Sequence, residues 1–150
     1  DKFSPKRIIL DKNLDIKLKS YIFKSAKKGN TILFYHSSNT KKIKVLKKKG
    51  LTLIKTKLNN EGLLDLKIVL KKLFTLGTRS LLVEGGDKIS KSLIKNRLID
   101  TFYLFQSPKI LRVNKINQGF TSFGILNGKY KKVSKITSKL AKDNITIYKR

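Results

Sequence analysis

The chain has 150 residues, a formal net charge of +27, 39% apolar residues and no cysteine. This length and apolar content suit one globular domain over residues 1–150 and exclude a disordered chain. The lack of cysteine excludes disulfides and thiolate catalysis, and a single histidine, His36, excludes a multi-histidine metal site, so we expect no bound metal. No apolar run approaches the length of a membrane span, so we expect a cytoplasmic protein.

Strands and helices alternate along the first half of the sequence. Runs of β-forming residues predict strands at 7–10, 31–35 and 51–54, with a weaker candidate at 21–23. A helix is predicted at 40–49. The clearest helix covers residues 63–76, whose apolar side chains share one face while lysines lie on the other.

The second half continues this alternation and closes with two strands. Its predicted elements are a strand at 80–83 buried on both faces, a helix at 87–97, a strand at 101–106, a polar loop at 112–129, and strands at 133–140 and 144–148. The last two form a predicted antiparallel hairpin. The pattern predicts an α/β fold, with a mixed, mostly parallel sheet flanked by helices.

The segment SLLVEGGD, residues 80–87, carries the most specific chemical signal. A strand that ends in two glycines and runs into a helix brings free backbone N–H groups and a positive helix end to an anion. The alternative is a tight turn that requires a positive φ angle and binds nothing. Polar clusters at 11–12, 36–39 and 84–86 each follow a predicted strand, where α/β sheets bind ligands, so together they predict a nucleotide site.

The high charge raises a second possibility, a basic nucleic-acid-binding module. Weak, salt-sensitive attraction to any polyanion is expected. However, of the 36 basic residues only five are arginine, and the lysines are spread over the whole length. This distribution favours solvated helix faces, so we expect contact with nucleic acid to be non-specific.

Five segments, in order, resemble the bacterial riboflavin-biosynthesis reductases. PKRIILD (5–11) resembles the family's P-x-R-(V/I)-(V/I)-L-D strand, and GTRSLLVEGG (77–86) resembles its G-x-x-S-(V/L)-(L/Y)-V-E-G-G signature. Residues 98–100, 107–109 and 141–145 are similar to its L-(V/I)-D, A-P-K and G-x-D-(I/L) segments. Residues 110–113, ILRV, depart from the family, which usually has glycines there.

The resemblance implies a dihydrofolate-reductase-like fold and NADPH-dependent reduction of 5-amino-6-(5-phosphoribosylamino)uracil to the ribitylamino compound. In many bacteria this domain is the C-terminal half of a bifunctional deaminase/reductase, which agrees with the absence of a starting methionine. The family's domain begins before the P-x-R strand, so we expect an N-terminal strand and part of the active site to be missing. The family also implies a homodimer.

The same resemblance assigns the site residues. It places the cofactor on a glycine turn and helix start, at Gly85, Gly86, Asp87, Lys88, Ile89, Ser90, Lys91 and Ser92. Glu84 maps onto an acidic residue that contacts the substrate; the alternative is a carboxylate that stabilises the helix N-terminus. Cofactor contacts are also implied at Lys12, and the adenosine 2′-phosphate at His36, Ser37 and Ser38, although His36 is equally well read as an exposed loop residue.

No catalytic side chain is assigned, because the cofactor carries the hydride while the protein orients it and excludes water. Three alternatives remain open: another pteridine or folate-type reductase of the same fold, the basic nucleic-acid-binding module, and a non-catalytic nucleotide-binding or assembly domain. The first would differ in its substrate loops. The second predicts no preference for NADPH, and the third predicts NADPH binding without turnover.

Overall fold

Residues 5–107, 120–137 and 143–150 are described by the structure, a computed structural model. The chain divides into two compact units, Asp1–Ser80 and Leu81–Arg150. The expected α/β fold is confirmed, whereas a single domain over residues 1–150 stays a prediction. Within the described residues, no helix combines the length and apolar character needed to cross a membrane.

The first unit is built on a three-stranded parallel sheet in the order β1-β2-β3. Its elements are β1 (Arg7–Leu10), α1 (Tyr21–Lys24), β2 (Thr31–Tyr35), α2 (Thr40–Lys48), β3 (Thr52–Lys55) and α3 (Leu66–Thr75). The strands predicted at 7–10, 31–35 and 51–54 are therefore confirmed, although β3 begins and ends one residue later than expected.

The central strand β2 is buried along its whole length, because apolar residues pack against both faces of the sheet. Leu33 and Tyr35 join Leu46 of α2 in one core cluster. Ile32 and Phe34 join the second cluster, in which α3 packs. A strand buried on both faces is typical of parallel sheets, and it explains the uninterrupted apolar run TILFY.

Hydrogen-bonding side chains set the starts of the helices in this unit. Asp65 accepts hydrogen bonds from the backbone N–H groups of Lys67 and Ile68, at 2.9 and 3.2 Å, so α3 begins three residues later than predicted. Residues 21–23 were predicted as a weak strand, and this prediction is wrong. Ser20 accepts a hydrogen bond from the Phe23 N–H at 3.3 Å and caps the short helix α1 instead.

The second unit contains a three-stranded antiparallel sheet in the order β4-β6-β5. Its elements are α4 (Asp87–Lys95), β4 (Thr101–Gln106), α5 (Phe123–Lys129), β5 (Lys131–Thr137) and β6 (Asn144–Lys149). The predicted antiparallel pairing of the last two strands is confirmed, with β5 beginning two residues earlier than expected. One face of this sheet packs on the helices, in a core cluster of Ile94, Leu104, Leu126, Tyr130 and Tyr148.

The predicted strand at 80–83 is wrong. These residues are irregular, and Leu82 is 79% exposed. No strand in the described part of the chain pairs with them. A run of apolar residues indicates a preference for burial, but it cannot supply the neighbouring strand whose hydrogen bonds a sheet position requires.

The predicted loop at 112–129 is also partly wrong, because α5 occupies Phe123–Lys129. Two glycines made this segment look non-helical. Burial of Leu126 and Tyr130, four residues apart, places one face of α5 in the core and outweighs that cost. The predicted loop at 112–119, the ILRV departure at 110–113, and residues 108–109 and 138–142 of other predicted segments lie outside the described residues.

Candidate functional site

A cleft of about 450 Å³ lies at the carboxyl ends of the parallel strands in the first unit. It is lined by residues that follow all three strands: Lys12, Asn13, His36, Ser37, Ser38, Lys55 and Leu58. Four of these, Lys12, His36, Ser37 and Ser38, are cofactor contacts expected from the sequence, so the structure brings them together at one place. Ligands of parallel α/β sheets bind at this edge.

Backbone hydrogen bonds fix the walls of the cleft. The N–H groups of His36 and Ser37 both donate to the Lys12 carbonyl, at 2.9 and 3.0 Å. The His36 Nδ1 lies 2.9 Å from the carbonyl oxygen of Thr56, a buried residue just after β3. Because a carbonyl oxygen only accepts, the Nδ1 atom carries the hydrogen in this pair. His36 is an exposed loop residue, as one of the two interpretations has it, and its ring connects the ends of β2 and β3.

The two lysines of the cleft differ in whether their ammonium groups have a hydrogen-bonding partner within the described protein. Lys12 donates from Nζ to the Gly62 carbonyl at 3.1 Å. Lys55 is exposed, and its ammonium group has no hydrogen-bond or ion-pair partner in the described part of the chain. None of the described residues that line the cleft is a carboxylate. The nearby Asp11 carboxylate accepts from the N–H groups of Asp15 and Ile16, both at 2.8 Å. The cleft therefore offers positive charge and hydroxyl groups, which suits an anion.

In the second unit, the start of α4 offers backbone donors. Gly86 is the N-cap residue, and no side chain from the described ranges makes a capping hydrogen bond to the helix. The first intrahelical bond is donated by the Ser90 N–H to the Gly86 carbonyl at 3.3 Å. The N–H groups of the three preceding residues, 87–89, thus come before the helical ladder, where the positive end of the helix dipole favours an anion.

The two glycines of this turn differ in the space around them. A Cβ atom at Gly85 would collide with the side chain of Ile89, so Gly85 permits close packing. A Cβ atom at Gly86 would meet no other atom within 4 Å. Neither glycine has a positive φ angle. The alternative of a turn that needs positive φ is therefore wrong, and the open space at Gly86 fits the close approach of a ligand to the backbone.

The Asp87 side chain is already engaged within the protein. Its carboxylate accepts hydrogen bonds from the Thr121 hydroxyl at 2.6 Å, the Thr121 N–H at 3.0 Å and the Ser122 hydroxyl at 3.2 Å. The Thr121 hydroxyl is the main reason why the pKa of Asp87 lies below its ordinary value. Any contact of Asp87 with an anion would therefore use its backbone N–H. Sequence reasoning missed Thr121 and Ser122, because no motif links them to the turn.

The carboxylate of Glu84 is exposed, and no side chain among the described residues makes a capping hydrogen bond to α4. Glu84 therefore does not cap the helix by a hydrogen bond, and both its substrate contact and its electrostatic stabilisation of the helix N-terminus stay predictions. Among the other predicted contacts on α4, Lys88 and Lys91 are exposed, whereas Ile89 is occupied by packing against Gly85. Ser90 and Ser92 are half-buried.

Sequence reasoning missed Lys55, Asn13 and Leu58 in the cleft. The signal for Lys55 was present: it is the last residue of β3 and so lies at the same sheet edge as the other clusters. Because the strand was predicted to end at residue 54, Lys55 was not grouped with the polar clusters that follow the other strands. Across the described residues, no group of three histidine, cysteine, aspartate or glutamate side chains is placed to hold a metal ion.

Comparisons with known proteins agree with the resemblance seen in the sequence. A family model described as the RibD C-terminal domain matches residues 1–141. The riboflavin biosynthesis protein RibD of Aquifex aeolicus is 36% identical over 107 residues, and that of Actinobacillus pleuropneumoniae is 27% identical over 107 residues. Each alignment covers 71% of this chain but 28% of the relative, so the chain spans under a third of these curated proteins.

Solved structures with the same fold were also found. RibD of Acinetobacter baumannii superposes with a TM-score of 0.72 at 19% identity, covering 97% of this chain and 37% of that one. A pyrimidine reductase-like protein from Corynebacterium diphtheriae has a TM-score of 0.71 at 18% identity, covering 97% of this chain and 60% of that one. At these identities the likeness concerns the fold.

Proposed function

The chain belongs to the RibD C-terminal domain family, and from that premise we propose that it acts in riboflavin biosynthesis as an NADPH-dependent reductase. The proposed substrate is 5-amino-6-(5-phosphoribosylamino)uracil, and the product is its ribitylamino form. The sugar ring opens to an imine-like form, and NADPH supplies the hydride that adds to C1′. A proton from solvent completes the amine.

The start of α4 is the observation that carries this proposal. In the second unit, the uncapped N–H groups of residues 87–89 would hold the pyrophosphate of the cofactor, and the open space at Gly86 would admit it. The carboxylate of Glu84 would contact the substrate. In the first unit, the cleft formed by Lys12, His36 and its neighbours would hold the 2′-phosphate.

We also propose that the protein is a cytoplasmic homodimer, as the family resemblance implies. Sedimentation velocity at micromolar concentration tests the dimer directly. A monomer throughout that range would contradict the dimer while leaving the reductase proposal intact.

The cofactor turn is tested by NADPH fluorescence with the purified full-length protein, in about 0.3 M salt to screen non-specific attraction to the lysines. Gly86→Asp adds a side chain and a like charge where the pyrophosphate should lie. Gly128→Asp in α5 is the matched control, because a Cβ atom there also meets nothing within 4 Å. We expect native and control proteins to bind NADPH tightly and Gly86→Asp to lose binding.

Equal affinities of all three proteins would contradict the assignment of the cofactor to this turn. Weak binding by all three, together with tight and salt-sensitive binding of RNA, would instead support the nucleic-acid-binding alternative. Tight NADPH binding by the native protein without turnover of any aminopyrimidine would support the non-catalytic alternative.

A further inference from the structure

We propose that Lys55 is the residue that selects NADPH over NADH, by pairing with the 2′-phosphate in the cleft of the first unit. This inference rests on the proposed function, because it names the specificity-determining residue of the same cofactor. Neither the sequence motifs nor the family resemblance assigned Lys55 a role.

The position of Lys55 makes this possible. It is the last residue of β3 and lines the cleft with the residues that follow β1 and β2. Its neighbours in that lining include the hydroxyl groups of Ser37 and Ser38. A phosphate monoester needs several donors and positive charge at one place, and a lysine ammonium with adjacent hydroxyls supplies both.

Lys12 and Lys55 differ in hydrogen bonding, and this difference favours Lys55 as the lysine that pairs with the 2′-phosphate. The Lys12 ammonium is half-buried and donates to the Gly62 carbonyl at 3.1 Å, so part of its hydrogen-bonding capacity fixes the loop after β3. Lys55 is exposed, and its ammonium group has no partner in the described ranges. All three donors of this ammonium group can therefore turn to a ligand without breaking a contact to any described residue.

The charge balance of the cleft points the same way. The described residues that line it include two lysines and no carboxylate, and the nearby Asp11 carboxylate is already engaged by the N–H groups of Asp15 and Ile16, so a dianionic phosphate gains net attraction. The 2′-hydroxyl of NADH carries no charge and would leave the Lys55 ammonium in water as before. Lys55 should therefore contribute to the affinity for one dinucleotide and very little to the affinity for the other.

The test uses two probes that differ only in the 2′-phosphate, 2′,5′-ADP and 5′-AMP, with affinities measured by titration calorimetry on the full-length protein. Lys55→Gln removes the proposed contact. Lys57→Gln is the matched control, since Lys57 is an exposed lysine two residues further on that does not line the cleft. Both variants lose one positive charge, so general electrostatic effects are the same.

We expect Lys55→Gln to bind 2′,5′-ADP about tenfold more weakly, the loss of one charge-assisted contact, and to bind 5′-AMP as before. Lys57→Gln should match the native protein with both probes. Equal losses in the two variants would overturn the role of Lys55, as would a large loss in Lys12→Gln with none in Lys55→Gln.

Failure of the underlying function would look different. A native protein that binds 2′,5′-ADP no better than 5′-AMP would contradict the NADPH proposal together with the role of Lys55. A native preference for 2′,5′-ADP that survives Lys55→Gln unchanged would overturn this inference alone, and NADPH would remain the cofactor.

Discussion

The sheets of the two units are covered in different ways. In the first unit, helices and loops pack on both faces, and every residue of β2 is buried. In the second unit, the core lies on one face, while Tyr103 and Phe105 of β4 are exposed on the other. Parallel sheets are usually buried on both faces, whereas antiparallel sheets tolerate solvent on one. Two apolar strands, β2 and β4, therefore bury very different fractions of their side chains.

The candidate binding positions differ in a parallel way. The first unit offers charged and hydroxyl side chains at the ends of strands. The second offers backbone N–H groups at the start of a helix, next to Gly86, where an added Cβ atom would meet no other atom within 4 Å. Side-chain contacts are altered by removing a functional group, whereas a backbone contact is altered only by adding bulk or charge.

The largest expected effect is on the free energy of unfolding, when a phenylalanine is replaced by alanine in one sheet or the other. Phe34 in β2 is fully buried, and Phe105 in β4 is 69% exposed. We expect Phe34→Ala to lower the free energy of unfolding by about 3–5 kcal/mol, from lost burial and the cavity left behind. Phe105→Ala makes the same chemical change and should cost less than about 1 kcal/mol. Urea denaturation followed by circular dichroism measures both, and equal costs would contradict the one-sided packing of the second sheet.

An intermediate effect separates the two glycines before α4. Gly85→Ala should cost about 1–3 kcal/mol in the free energy of unfolding, because the added methyl group collides with Ile89. Gly86→Ala should change that free energy by no more than about 0.5 kcal/mol, since its methyl group meets open space.

Gly86→Ala should instead weaken NADPH binding about tenfold, the equivalent of one lost contact to a charged group. Denaturation and NADPH fluorescence on the same pair of variants measure the two effects. If Gly86→Ala protein binds NADPH as well as the native protein does, the cofactor does not approach the Gly86 backbone closely.

A smaller effect is expected at Asp87, whose carboxylate connects α4 to Thr121 and Ser122. Asp87→Ala should lower the free energy of unfolding by about 1 kcal/mol. Asp100→Ala in the same unit is the control. Asp100 is exposed, and its carboxylate makes a long, solvent-exposed ion pair of 3.8 Å with the Arg150 guanidinium. Its cost should stay under about 0.5 kcal/mol.

The contribution of Asp87 should also depend on pH. Its pKa is lowered in the folded protein, chiefly by the Thr121 hydroxyl. The stabilisation is therefore fully present above the ordinary aspartate pKa and is lost as the pH falls through the lower folded value, below about pH 4. The difference in stability between native and Asp87→Ala proteins should shrink on acidification from pH 6 to pH 3, and a constant difference would contradict the carboxylate network.

The sequence allowed much of the fold to be predicted, for physical reasons that differ along the chain. The strand at 31–35 was found because its burial depends on local composition. The strand at 80–83 was predicted wrongly because strand formation also needs a partner, which composition does not reveal. Helix α5 was not predicted because its two glycines have low helix propensity, and the packing of Leu126 and Tyr130 that compensates for it is a tertiary contact.

The candidate site was predictable where it follows from strand ends and not where it follows from tertiary contacts. The grouping of Lys12 with His36 to Ser38 came from the rule that parallel strands end at one sheet edge. The engagement of Asp87 by Thr121, 34 positions away, carries no sequence signature. The same holds for the hydrogen bond of Lys12 to Gly62, which distinguishes Lys12 from Lys55, the cleft lysine whose ammonium has no partner among the described residues.

Transfer of a labelled hydride from NADPH to the substrate distinguishes a reductase from a protein that only binds the cofactor. NADPH carrying deuterium at both positions of nicotinamide C4 is incubated with 5-amino-6-(5-phosphoribosylamino)uracil and the full-length protein, and the product is analysed by mass spectrometry. The account predicts a ribitylamino product with one deuterium at C1′, formed by native protein and lost in Gly86→Asp. NADPH binding without deuterium in any product would contradict the reductase function.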